Sequence, residues 1–190
     1  MDSYHIALFV HILTLVAAAG ATAVTKLAVS RRTRARTVSE VLDWHTVLTS
    51  GARAFPICLV VFVVTGMYML SMTHVSPWST GFVAAGLTGV ILLLVSGTYL
   101  GTKAKGLKAV LEQIIAKNGP DHPAPKLVPP RLVAMLPVVN TFIALAVTFD
   151  MVTKPASVPI ALGILALGVA LGVASAMRSP APAPRRAPAA

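Results

Sequence analysis

The stretch that decides the fold is GFVAAGLTGVILLLVSGTYLGT, residues 81–102, which contains no charged side chain. A helix rises ~1.5 Å per residue, so about 20 apolar residues cross the ~30 Å hydrocarbon layer of a bilayer. Strands of a membrane barrel are much shorter, and the run therefore indicates a transmembrane helix. Lysines follow at positions 103, 105 and 108 and place the end of the span at the membrane surface.

Four further segments are equally long and apolar. Together with the first they give five predicted spans, at about residues 4–29, 55–72, 81–102, 132–152 and 158–177. Of the 190 residues only 12% are charged, whereas a soluble domain has roughly 25%. The sequence therefore predicts an all-α fold, a polytopic transmembrane helical bundle with a four-helix core plus a C-terminal helix, and excludes a free soluble enzyme. Residues 178–190, rich in Pro and Ala, are expected to form a disordered cytoplasmic tail.

The distribution of positive charge predicts the orientation. The formal net charge is +10, and 15 of the 16 lysines and arginines lie on one side of the five spans, with only Lys154 opposite. The positive-inside rule then puts the N-terminus outside and the C-terminus in the cytoplasm, in the inner membrane of a bacterial cell. The lipid bilayer is the expected partner. Nucleic acid is not, because the basic loops lack interleaved aromatic residues.

Two segments on the basic side have helical patterns of their own. Thr37-Val38-Ser39-Glu40 has the spacing of a capping box, and the residues after it predict an amphipathic helix near the membrane surface. A second apolar stripe follows Gly106 and ends at the stop signal Asn118-Gly119-Pro120. The first face comprises Val41, Leu42, His45 and Leu48, and the second comprises Leu107, Val110, Leu111, Ile114 and Ile115.

Two GxxxG motifs, Gly97–Gly101 and Gly168–Gly172, lie in the third and fifth spans. Small residues at this spacing let helix backbones approach closely in lipid. We expect them mainly to pack helices within the chain. The alternative is contact in a homo-oligomer or a larger membrane complex.

His11 is the most informative polar residue, because ionisable groups inside a bilayer are costly and often functional. It lies about 9 Å deeper in the first span than His5, and Met67 of the second span has a similar depth. Since His/Met pairs ligate haem, His11 and Met67 form a candidate site for haem b. The alternative is that His11 only hydrogen-bonds a neighbouring helix.

A candidate copper site lies at the outer end of the second span. Met69, Met72 and His74 supply thioether and imidazole groups, which suit copper(I). The alternative for the methionines is ordinary packing between apolar helices.

Three other polar residues are candidates: His5, Asn140 and Asp150. Asp150, near the outer end of the fourth span, is expected to form an interfacial ion pair, with Lys154 one turn further on or with His5 or His74 at the same outer level. The alternative is a proton or cation site.

No catalytic residue is predicted. The sequence has no Walker A loop, no GxGxxG, no HExxH and no GxSxG motif. The single cysteine, Cys58, excludes an intramolecular disulfide and a CxxC motif.

Several short motifs resemble those of an uncharacterised bacterial family of predicted integral membrane proteins. They are Leu8-Phe9-Val10-His11-Ile12-Leu13 with the small residues up to Ala23, Ala54-Phe55-Pro56 leading to Thr65-Gly66-Met67-Tyr68, and Pro77-Trp78. That family looks similar to the membrane domain of copper-resistance protein D and to the HemJ-type protoporphyrinogen oxidase. The resemblance covers roughly residues 4–115. It implies that His11 matches a histidine proposed as a haem ligand, but offers no counterpart for the other polar residues of the oxidase.

The leading functional prediction is therefore an inner-membrane helical-bundle protein that binds haem through His11 and is not an enzyme. Three alternatives stay open: a copper or small-solute permeation protein, a membrane oxidoreductase acting on a porphyrin or quinone, and a structural subunit of a membrane complex.

Overall fold

The computed structural model describes residues 2–73 and 79–178, and within those ranges the chain is helical with no strand. The helices are α1 (Ser3–Arg32), α2 (Val38–Ala52), α3 (Ala54–Thr73), α4 (Gly81–Asn118), α5 (Arg131–Thr153) and α6 (Val158–Arg178). Five stretches are long and apolar enough to cross a membrane, with α2 and α3 counted together. This confirms the all-α class and, in the described residues, five helical stretches that are long and apolar enough to span a membrane. The predicted tail beyond Arg178 lies outside the described residues.

Helix α4 is longer than the span predicted for it. The third span and the second amphipathic segment form one helix of 38 residues, since no proline interrupts the chain between residues 102 and 106. The helix ends at Asn118, and Gly119 follows with φ of 87°, a left-handed conformation that favours glycine. The predicted stop signal is confirmed.

The capping box at the start of α2 forms with one change of register. The Thr37 hydroxyl accepts a hydrogen bond from the Glu40 N–H at 3.3 Å, and the Glu40 carboxylate accepts one from the Arg36 N–H at 2.6 Å. In a standard capping box the carboxylate accepts from the N–H of the capping residue, Thr37. Here it accepts from the residue before it. Helix α3 begins after a break at Arg53, and Pro56 lies in its first turn, where the missing N–H is tolerated.

The spans pack in two groups instead of the predicted four-helix core with an appended helix. Helix α1 packs along α3, whereas α4, α5 and α6 form a three-helix bundle, and α3 meets α4 only briefly. Helix α6 belongs to the bundle because it approaches α5 closely through glycine. A Cβ built on Gly168 would lie 2.7 Å from the Ala146 Cβ, and one on Gly172 would lie 2.9 Å from the Val139 Cα.

The two GxxxG motifs therefore behave differently. Gly168 and Gly172 pack within the chain as expected. Gly97 and Gly101 face open space, with no described atom within 4 Å of a built Cβ, so intrachain packing is the wrong expectation for this motif.

The two groups of spans are joined on the side that carries most of the lysines and arginines, by α2 and the C-terminal part of α4. Val38 and Val41 of α2 pack with Ala35 and with Leu111 of α4 in a buried cluster. The chain after α4 adds backbone hydrogen bonds to the start of α2, including one of 2.9 Å from the Val38 N–H to the His122 carbonyl. The two predicted amphipathic faces thus bury each other.

Candidate functional site

The candidate haem ligand His11 lies in the interface between α1 and α3, and its side chain is half-buried. Its Nδ1 is 2.8 Å from the Thr65 Oγ1 on α3. Its ring meets the Phe62 ring edge to face, with ring centroids 4.7 Å apart. One hydrogen bond and one aromatic contact from the same partner helix therefore fix the orientation of the imidazole.

The hydrogen bonds of Thr65 favour one tautomer of a neutral His11. The Thr65 hydroxyl donates its proton to the Val61 carbonyl at 2.7 Å, so its oxygen accepts the bond from the His11 Nδ1–H. In neutral imidazole the other nitrogen, Nε2, then keeps its lone pair. Histidine ligands are commonly held in this way, by a hydrogen bond from the nitrogen that does not bind the metal.

Gly66 of α3 faces the His11 ring, and a Cβ built there would lie 3.8 Å from the His11 Cε1, at van der Waals distance. A groove of about 310 Å³ runs between α1 and α3, and its lining does not include His11 or Gly66. It is lined by Val10, Leu13, Thr14, Ala17, Ile57, Cys58 and Val61. Because its lining is almost wholly apolar, the groove would accept an apolar group.

Met67, the predicted second haem ligand, does not lie on the face of α3 that meets His11. It follows Thr65 by two residues, which is about 200° around the helix, and its side chain is 47% exposed. Ligation by Met67 therefore stays a prediction.

The copper candidates are only partly described. Met72 is 49% exposed and Met69 is half-buried, while His74 lies outside the described residues. No group of three or more His, Cys, Asp or Glu side chains suited to a metal occurs in the described ranges. The copper site stays a prediction.

His5 is an exposed residue at the start of α1. Its Nδ1 lies 3.8 Å from the Asp2 carboxylate, and both side chains are more than half exposed. An ion pair of this kind contributes little to stability, and nothing in its surroundings distinguishes His5 as a binding residue.

Asp150 differs from the sequence-based expectation. Its side chain is completely buried, and neither carboxylate oxygen has a hydrogen-bond partner in the described structure. The expected ion pair with Lys154 is wrong, because Lys154 caps the end of α5 in the left-handed conformation with φ of 47° and is exposed. It is the Lys154 backbone N–H that contacts Asp150, at its carbonyl oxygen.

Asn140 joins α5 to α4. Its side-chain oxygen accepts a hydrogen bond of 2.8 Å from the Ser96 hydroxyl. The pair lies on the wall of a largely apolar cavity of about 460 Å³ that also includes Tyr99. A polar pair of this kind stabilises helix contacts in a membrane.

His45 has a structural role. The sequence pattern predicted only that it lies on an amphipathic face. Its ring is completely buried where α1, α2 and α4 meet. Nε2 lies 2.9 Å from the Ala104 carbonyl and donates to it, so a neutral ring accepts at Nδ1 the hydrogen bond of 3.0 Å from the Arg32 guanidinium. Its place four residues after Val41, on the apolar face, was the signal that it would be buried.

No family model, curated protein or solved structure matches this chain. The resemblance of residues 4–115 to membrane proteins of the copper-resistance and HemJ types therefore stays a prediction.

Proposed function

We propose that the chain is a multi-pass protein of the bacterial inner membrane that binds haem b, which the His11 imidazole would hold through Nε2. The observation that carries the proposal is the hydrogen bond between the His11 Nδ1 and Thr65. Because the Thr65 hydroxyl is itself committed to the Val61 carbonyl, the free lone pair of a neutral His11 is on Nε2.

The surroundings of His11 fit a haem in two further respects. Gly66 places no side chain against the imidazole, and the groove lined by Val10, Thr14 and Val61 between α1 and α3 is apolar. A porphyrin is a large planar group that gains stability from burial against such a surface. Haem, when bound, supplies one-electron chemistry. The chain's own residues would supply the ligand and hold its ring.

Thr65 and Phe62 are the positioning residues of this proposal. Thr65 keeps the proton on Nδ1, and Phe62 restricts rotation of the ring through the edge-to-face contact. Removing a partner that orients a metal ligand typically lowers affinity 10–100-fold. Loss of the ligand His11 should therefore weaken haem binding more than loss of its hydrogen-bond partner Thr65.

The test is a titration of the purified full-length chain with haemin in mild detergent, followed by the Soret band. The wild type is expected to bind about one haem per chain, and His11→Ala to lose the band. Thr65→Val should weaken binding by about 10–100-fold, whereas Thr65→Ser should retain it. His5→Ala is the matched control, since His5 is an exposed histidine of the same helix.

Met67→Leu shows whether Met67 would supply a second ligand, because loss of a thioether ligand changes the visible bands and the reduction potential. Unchanged spectra would show that Met67 is not a ligand, and the proposal for His11 would stand. A His11→Ala variant that binds haem as tightly as the wild type would overturn the proposal.

A further inference from the structure

The completely buried carboxyl of Asp150 points to a second site, independent of His11 and of haem. Asp150 continues the buried stripe of α5 that also contains Val139, Ile143 and Ala146. The contacts of nearby residues on α5 show which way Asp150 faces. A Cβ built on Gly168 of α6 would meet Ala146, and one built on Gly86 of α4 would lie 2.5 Å from the Met151 Cε. Asp150 therefore lies on the face of α5 between these two contacts.

Backbone hydrogen bonds close the bundle at the end where Asp150 lies. The Gly81 N–H, at the start of α4, donates to the Ala156 carbonyl at 3.0 Å, and the Phe82 N–H donates to the Pro155 carbonyl at 3.1 Å. These bonds tie α4 to the turn between α5 and α6. The first residues of α4 are buried by this contact, and Asp150 has no exposed surface.

No counter-ion for Asp150 comes from the helices that pack against α5. Among the described helices only α4 and α6 do so. Residues 81–102 and 158–177 contain no Asp, Glu, Lys, Arg or His, and their one other titratable group, Tyr99, lies about 27 Å from the start of α4. On α5 itself, Lys154 is exposed and makes no ion pair with the carboxylate.

A metal ion does not suit this position. Calcium takes six to eight oxygen ligands and magnesium about six, whereas no polar atom of the described residues bonds either Asp150 oxygen. A proton needs no cavity and no set of ligands. It also removes the charge, and an isolated buried carboxylate commonly becomes neutral in this way.

We propose that Asp150 is a proton-binding site, and that loss of its proton opens the outer end of the α4–α5–α6 bundle. A neutral carboxyl can remain in this apolar core. The hydroxyls of Thr148 and Thr153 donate to carbonyls one turn earlier in α5, and a carboxylic O–H can do the same. An ionised carboxylate requires water or a cation, and separation of α4 from the α5–α6 turn admits water and the Lys154 ammonium.

Infrared spectroscopy of the full-length chain in detergent tests the proton site. The wild type at about pH 6 should show the C=O stretch of a protonated carboxyl, and this band should shift in deuterium oxide and disappear on titration with base. The band should be absent from Asp150→Asn and retained in Asp121→Asn, a control at an exposed position of the connector after α4.

Amide hydrogen exchange tests the opening. The protection factors of Gly81 and Phe82 should fall at least about tenfold between about pH 6 and about pH 9 in the wild type. They should stay constant over that range in Asp150→Asn. If that variant does not fold, Asp150→Glu decides the assignment, because a carboxyl band that moves with this substitution belongs to residue 150.

Three results would overturn the proposal. One is a wild type without a protonated-carboxyl band that depends on residue 150. Another is an equal loss of protection in Asp150→Asn. The third is removal of the band by sodium at constant pH, which would assign the site to a metal cation instead.

Discussion

Substitution of His45 by alanine should loosen the junction between α1, α2 and α4. The ring is completely buried and uses both nitrogens, one toward the Arg32 guanidinium at 3.0 Å and one toward the Ala104 carbonyl at 2.9 Å. Alanine removes both hydrogen bonds and leaves a void beside the cluster that joins α2 to α4.

The size of the effect follows from these contacts. A hydrogen bond to a charged group contributes about 1.5–3 kcal/mol and a neutral one about 0.5–1.5 kcal/mol. Arg32 is partly exposed and can bind water when His45 is removed. Loss of its hydrogen bond should therefore cost a value near the lower end of the range for charged groups. With the cavity included, we expect His45→Ala to lower the free energy of unfolding by about 3 kcal/mol. For a chain of this size that corresponds to a fall in Tm of about 6–12 °C.

The assay is thermal unfolding in detergent, followed by tryptophan fluorescence, to which Trp44 contributes from its half-buried position on α2 next to His45. His45→Gln should recover much of the loss, because an amide can accept from Arg32 and donate to Ala104. His122→Ala is the control, since the His122 side chain is exposed. A Tm for His45→Ala within about 1 °C of the wild type would refute the reasoning.

Three other predictions follow, two from the fold and one from the distribution of charge in the sequence. Gly168→Leu and Gly172→Leu should each destabilise the chain by about 1–3 kcal/mol through overpacking, whereas Gly97→Leu and Gly101→Leu should leave Tm unchanged; equal effects in thermal unfolding would contradict the two roles. Acidification from about pH 7 to about pH 5 should lower Tm in the wild type more than in His45→Gln, because a proton on Nδ1 removes the acceptor that Arg32 uses; parallel pH profiles would contradict this. Labelling of single cysteines in intact cells should find the N-terminus outside and the C-terminus protected, and the reverse pattern would refute the predicted orientation.

The helices could be predicted from the sequence because each follows from a local pattern. An uncharged run longer than a bilayer is thick predicts a span without knowledge of its neighbours. The cap at Thr37 and the stop at Gly119 also depend only on residues close in sequence. The one large error in length, at α4, arose because the end of an apolar run is not the end of a helix.

Helix pairing could not be predicted in the same way. The two GxxxG motifs have the same spacing, yet only Gly168 and Gly172 meet another helix, because residues on α5 decide which glycines are covered. The sequence also suggested a cation for Asp150, since Lys154 lies one turn away. The left-handed cap at Lys154 ends α5 there, which no pattern of charges reveals.

The candidate haem site was predicted in part. The depth of His11 in the first span made it a candidate from the sequence. Its partner, Thr65, was not foreseen, because the contact depends on how α1 and α3 rotate against each other. The same rotation leaves Met67 on another face of α3, and depth alone could not show that.

The central claim is that His11 binds haem, and its most direct test is an absorption spectrum with metal analysis of the wild-type protein purified from haem-supplemented cells. The account predicts a Soret band and about one iron per chain, with both lost in His11→Ala and kept in His5→Ala. A colourless wild-type protein, or one that contains copper and no iron, would contradict it.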